Sequence, residues 1–168
     1  MVIKYVGKLS LKHKIYNMIA IEDFKIKHPN KVRFIGLDLG SKRIGVSICD
    51  ERQSIATPFK TINKTNTNEL IDELKIIIEE NNIGGIIVGN PVNMDGTMGR
   101  SAQSVNDVAS NISKNIDLPV ILWDERLSTV AAFNLSSLLD VNVSKRAKTI
   151  DQNAAAFILQ GAIDFLNN

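Results

Sequence analysis

The stretch VRFIGLDLGSKRIGVSICD, from Val32 to Asp50, constrains the fold more than any other part of the chain. Val32, Phe34, Ile35, Leu37 and Leu39 make a run too apolar for a strand with one wet face, so it reads as a central strand covered on both sides. Asp38 interrupts that run. An unpaired carboxylate is too costly to bury, so it must meet water at the strand end, find a partner or hold a metal. Gly40-Ser41 supplies a turn, and Arg43 to Cys49 returns with Ile44, Val46 and Ile48 on one face and Gly45, Ser47 and Cys49 on the other. The expected unit is a hairpin with an acid at its lip.

The 168 residues suffice for one domain with a substantial core and make two unlike units improbable. No apolar run approaches the roughly 20 residues that cross a bilayer, and no secretory signal is legible at the N-terminus, so the expected compartment is the cytoplasm without membrane association. The single Cys49 cannot form an internal disulfide. The net charge of +2 divides unevenly: residues 1–31 carry seven Lys against Glu22 and Asp23, or +5, and residues 32–168 carry 13 Lys plus Arg against 16 acids, or −3. The domain proper is therefore no general polyanion sponge, and a nucleic acid would have to be held by local clusters or by metal ions. Residues 1–31 read as a basic N-terminal extension without clean periodicity, within which Met18 could also start the protein; residues 32–168 read as the domain.

Farther along, Ser54 to Ile62 reads as a third strand that Pro58 sends to a sheet edge or a bulge. A helix is predicted from about Thr67 to Asn81, capped by Thr67 or Asn68. Gly84 to Gly89 is a short, wholly apolar strand. The loop after it, NPVNMDGTMGR, crowds Asn90, Asn93, Asp95, Gly96, Thr97 and Arg100 together, as binding loops at strand ends do. A helix from Ser101 to about Asn115 and a fifth strand, Leu118 to Trp123, lead to Asp124-Glu125-Arg126. Another helix is expected over Val130 to Leu139, then a loop over Asp140 to Ser144. The basic cluster Lys145, Arg146 and Lys148 follows, and then a final helix with Asp151 in its first turn. Taken singly, Asp124, Glu125 and Asp151 have a plain explanation as charges favourable beside helix N-termini.

Taken together they do not. The order of three strands, helix, strand, helix, strand and helices matches the ribonuclease H-like pattern, a five-stranded mixed sheet flanked by helices, in which the strand ends and the last helix converge. GLDLGSKRIGVSICD, VGNPVNMDGT, LPVILWDERLST and IDQNAAAFILQGAID resemble the four signature blocks of the YqgF family, also called RuvX. The resemblance covers about residues 32–168, and its motifs are jointly specific. It departs at Asn90, where a leucine is common, and in residues 1–31, which most members lack. The resemblance implies a fold similar to Holliday-junction resolvases and a nuclease that processes the 5′ end of precursor 16S rRNA, with Asp38, the Asp124-Glu125 pair and Asp151 as the catalytic acids.

Converging carboxylates repel one another, and Mg²⁺ or Mn²⁺ bound by oxygen ligands lets them stay ionised. Two such ions about 4 Å apart serve both the attacking and the leaving oxygen of a phosphodiester. On this reading Asp38, Glu125 and Asp151 hold metal, with the choice between Asp124 and Glu125 left open because neighbours on a strand face opposite ways. Lys42, Arg43, Asn90, Asn93, Asp95, Arg126, Lys145, Arg146 and Lys148 are the expected contacts to an RNA strand. The alternatives are a resolvase cutting branched DNA, commonly as a homodimer, and a module that binds rRNA or the ribosome without cutting. A sugar-kinase-like enzyme would need a second such domain.

Overall fold

The computed structural model describes residues 18–27, 32–127 and 143–168, with side chains for 18–24, 32–127 and 152–168. In chain order the elements are β1 (Met18–Ile19), α1 (Ile21–Lys27), β2 (Arg33–Leu39), β3 (Arg43–Cys49), β4 (Ala56–Asn63), α2 (Thr67–Asn81), β5 (Ile83–Asn90), α3 (Arg100–Asn115), β6 (Val120–Asp124), a 3-10 turn (Glu125–Leu127) and α4 (Val143–Asn167). The expected helix over Val130 to Leu139 lies outside the described residues.

The sheet has six strands in the order β1-β6-β5-β2-β3-β4, one more than the sequence predicts. The hairpin β2–β3 is antiparallel with Asp38 opposite Gly45, and β5 runs parallel to both β2 and β6. The additional strand comes from the segment read as an extension: Met18 and Ile19 pair in parallel with Val120 and Ile121. Ile21 and Phe24 of α1 are buried behind it, and the Phe24 ring meets Phe34 edge-on at 5.1 Å. Two residues are too few for alternation to show, so the sequence pattern carries no trace of this strand. Met18 to Lys27 thus contribute a strand and a helix to the fold, ahead of the segment read as the domain. β4 is an edge strand, as Pro58 requires, and its pairing shifts by one residue beside that proline.

Alternation along β2 divides the core. Ile35 and Leu37 pack with Ile44, Val46 and Ile48 under α2 and α3, where Leu74 and Ile112 are fully buried. Phe34, Cys49, Ile87, Ile121 and Trp123 pack on the opposite face with Ile158, Leu159 and Ile163 of α4. Asp38, between Leu37 and Leu39, belongs to the α4 face. α2 covers the span predicted for it, but its cap is Asn66, whose side chain accepts from the Glu69 N–H at 2.9 Å, rather than Thr67 or Asn68.

α4 starts earlier than expected. Asp151 is not in its first turn but well inside a helix that begins at Val143, and Lys145, Arg146 and Lys148 also lie within it. The reading of Asp151 as a charge placed to suit a helix N-terminus therefore fails, because that effect dies within one turn. The helix is seated closely: the buried Ser47 hydroxyl donates to the Ala155 carbonyl at 2.8 Å, and a Cβ on Gly36 would lie 2.7 Å from that of Leu159. Its C-terminal end sits by the start of β2, where the Asn167 amide donates to the Gln53 carbonyl and Gln53 donates to that of Val32. With Ala155 beside Gly36, the preceding turn, which carries Asp151, is on the Asp38 side.

Candidate active site

The C-terminal ends of β2, β5 and β6 lie side by side, with Asn90 opposite Asp124 in the β5–β6 register. Alternation then sorts the acids. Val120 and Leu122 face α2 and α3, so Asp124 projects to that side, away from Asp38. The chain passes at once into the 3-10 turn, and Glu125 comes down over β5 on the α4 face. Its Oε1 lies 2.6 Å from the point that a Cβ on Gly89 would occupy, beside Ile158. Glu125 is thus the member of the pair that approaches Asp38.

The electrostatics agree with this division. Burial raises the Glu125 carboxyl above the ordinary glutamate value, and the charges of Asp38 and Asp124 push it further the same way. Asp124 is held below the usual aspartate range, chiefly by hydrogen bonding to the Arg126 guanidinium, which grips it through Nε at 3.0 Å and Nη2 at 2.6 Å. One carboxylate is satisfied by a cation, and the other has none among the described residues and is crowded by like charge.

Arg126 also reaches the loop after β5, donating to the Asn93 carbonyl at 3.4 Å. There Asn93 N–H donates to the Thr97 carbonyl at 3.0 Å, Gly96 N–H to the Asn93 carbonyl at 2.9 Å, and the Asn93 amide to Thr97 Oγ1 at 2.9 Å. Asp95 accepts from Thr97 through both its N–H, at 2.9 Å, and its hydroxyl, at 2.6 Å, which lowers the Asp95 carboxyl. Gly96 at φ +85° closes this turn. Asn93 and Asp95, expected from sequence to contact a substrate strand, spend their polar groups on building the turn. Asn90 keeps its Oδ1 buried and without a hydrogen-bond partner, facing the α3 side with Asp124.

The structure therefore gathers Asp38 and Glu125 on one face and Asp124, Arg126, Asn90 and the Asn93–Thr97 turn on the other. Lys42 and Arg43 flank the β2–β3 turn at the same end of the sheet, with Lys42 exposed. The side chains of Asp151, Lys145, Arg146 and Lys148 lie outside the described residues. Among the described residues no group of three or more His, Cys, Asp or Glu side chains stands together as a metal cluster. The donor chemistry of the two convergent acids nevertheless suits a hard divalent cation: both are carboxylates, one is raised by burial and by its neighbour, and nothing basic among the described groups counters it. No helix of the described residues is long and apolar enough to cross a membrane.

Residues 32–165 match the RuvX family, whose description is Holliday junction resolvase. The chain belongs to the RuvX family. A RuvX relative from Pelagibacter ubique (strain HTCC1062), named "Putative pre-16S rRNA nuclease", is 94% identical over 151 residues, which is 90% of this chain and 100% of that one. A relative of the same name from Sphingopyxis alaskensis (strain DSM 13593 / LMG 18877 / RB2256) is 46% identical over 145 residues, 86% of this chain and 95% of its own. Two solved structures share the fold. RuvC of T. thermophilus in complex with Holliday junction substrate aligns at a TM-score of 0.55 and 11% identity over 80% of this chain and 94% of that one. The yeast mitochondrial Holliday junction resolvase Ydc2 aligns at 0.52 and 15%, over 88% and 84%. These likenesses bear out the ribonuclease H-like α/β architecture read from the strand order.

Proposed function

We propose that this RuvX protein is a nuclease that hydrolyses RNA phosphodiesters and processes the 5′ end of precursor 16S rRNA in the cytoplasm. The observation that carries the reading is the approach of Glu125, over Gly89, to Asp38 at the sheet edge. A half-buried glutamate whose carboxyl is raised by burial and by the charge of a neighbouring aspartate is poorly explained as structure, because a buried apolar pair would cost less. The names of the curated relatives supply the substrate class.

The roles follow from the faces. Asp38 and Glu125, with Asp151 from the adjacent turn of α4, would hold Mg²⁺ or Mn²⁺. When bound, such an ion supplies Lewis acidity to the attacking water and to the leaving oxygen. Asp124 acts at one remove, orienting Arg126, and through it the turn that borders the site. The exposed edge of the Arg126 guanidinium, Lys42, Arg43 and the 145–148 cluster give phosphate oxygens their partners without specifying sequence. Asn90 offers its unmatched amide oxygen as an acceptor for a substrate hydroxyl or base N–H.

The test is Asp38→Asn, assayed on an RNA spanning the 5′ leader of 16S rRNA with Mg²⁺ or Mn²⁺. The variant keeps its circular dichroism and melting behaviour and loses cleavage; full activity would remove Asp38 from the reaction. Because the family description is that of a junction resolvase, a four-way DNA is assayed in parallel. Paired symmetric cuts in it, with the RNA left intact, would replace RNA by branched DNA as the substrate and point to a homodimer.

A further inference from the structure

The Asn93–Thr97 turn poses a question that phosphate binding does not answer. Its polar side chains face inward, on one another, and Arg126 braces it from β6. The large side chain that this framework holds out to solvent is Met94, at 91% exposure. Met98, at 61%, and Leu127, at 63%, are also exposed, the first in the same loop and the second directly after Arg126. Scattered exposed apolar residues are ordinary. A thioether at the tip of a turn this heavily hydrogen-bonded is different, because the conformational freedom lost in building the turn returns nothing to the core. Its place also matters: Met94 follows the residue whose carbonyl receives Arg126, and Arg126 follows Glu125.

We infer that Met94 is a nucleobase contact: it lies against the face of an unpaired base of an RNA strand that crosses the C-terminal edge of the sheet from the acids to the Asn93–Thr97 turn, and so selects single-stranded RNA at that position. This rests on the nuclease reading given above. The occupant follows from chemistry. A nucleic acid threaded past Asp38 and Glu125 presents phosphates, sugars and base faces, and of these only the base face is apolar. Methionine is polarizable and adaptable, fits any base without reading its hydrogen-bonding edge, and serves other proteins as a wedge beside unstacked bases. In a duplex those faces are covered by stacking, so the contact discriminates by strandedness rather than by sequence.

The test compares Met94→Ala and Met94→Leu in the full-length chain, in an Asp38→Asn background that leaves the RNA intact. The probe is an RNA of about 12 nucleotides with one 2-aminopurine, used single-stranded and annealed to its complement. Binding of the single strand by the Asp38→Asn protein changes the 2-aminopurine emission. Met94→Ala abolishes that change and weakens single-strand binding about fivefold, with duplex affinity and the salt dependence unaltered, since no phosphate contact is lost. Met94→Leu retains both signals. Equal affinity and equal emission in Met94→Ala overturn the inference, leave the nuclease reading standing and return Met94 to the candidates for a protein partner. Failure of the Asp38→Asn protein to bind either RNA, with no cleavage by the native chain, removes the nuclease reading and this contact with it.

Discussion

Gly89→Ala separates the proposed site from the core that supports it. A methyl group there would sit 2.6 Å from Glu125 Oε1, 2.4 Å from Ile158 Cδ1 and 3.0 Å from Ile158 Cγ1. Ordinary contact begins at about 3.5 Å, so the Glu125 carboxylate must retreat by roughly 0.9 Å and the Ile158 methyl by roughly 1.1 Å. Glu125 Oε1 is the far end of a flexible side chain, whereas Ile158 is β-branched and buried on α4 and must give chiefly at its terminal methyl. The cost to stability is that of mild overpacking, about 1–2 kcal/mol, or a melting midpoint lowered by roughly 2–8 °C at this chain length. The cost to chemistry is larger, because displacement of a ligand or reacting group by about 1 Å is worth about 10²-fold in rate. Thermal melts and single-turnover cleavage of the 16S leader RNA measure the two effects on one preparation. Mn²⁺ binding, followed by electron paramagnetic resonance, shows whether the loss lies in metal affinity. If Gly89→Ala cuts RNA at the native rate while its melting midpoint falls as stated, the path of Glu125 over β5 has no part in the reaction.

Two further perturbations test the division of the acids. Glu125 has its carboxyl raised by burial and then by Asp38 and Asp124, so its charged form is disfavoured by folding; the penalty is absent below the ordinary value of 4.5, grows as the pH rises above it and levels off past the folded value. Glu125→Gln in metal-free buffer should accordingly melt higher than the native protein at pH 7, with the advantage gone by pH 4; a gain independent of pH would refute the electrostatic account. Asp124→Asn and Arg126→Met should each slow cleavage about tenfold, with the double variant no slower than the worse single one; multiplied losses would show that Asp124 acts on its own rather than through Arg126.

The central hairpin, the buried strand of Ile83–Asn90 and the helix of Thr67–Asn81 were legible because each is long enough for its periodicity to dominate. The approach of Asp38 and Glu125 was legible only as a choice between two neighbours. What decides it is the break in alternation after Asp124, where the strand gives way to a 3-10 turn, together with the absence of a side chain at Gly89. Neither depends on hydrophobic pattern, so no count of apolar residues reveals them. The inward use of Asn93 and Asp95 was hidden for a related reason: a dense group of polar residues reads the same whether it waits for a ligand or satisfies itself. The sequence did contain the contrary sign, a methionine in the middle of an Asn-Met-Asp-Gly-Thr turn, where a polar residue would be the ordinary occupant. Asp151 shows the opposite error, since the helix start was placed too late and a mid-helix acid was mistaken for an N-terminal one.

The pairing of Met18 and Ile19 with Val120 and Ile121 has a bearing on solubility. β6 delivers Asp124 and Glu125, and a bare hydrogen-bonding rim along its apolar root would invite the same strand of another molecule to zip onto it. By occupying that rim with its own backbone and anchoring the plug through Phe24, the polypeptide keeps its acid-bearing strand from serving as a seed for association, at the expense of ten residues.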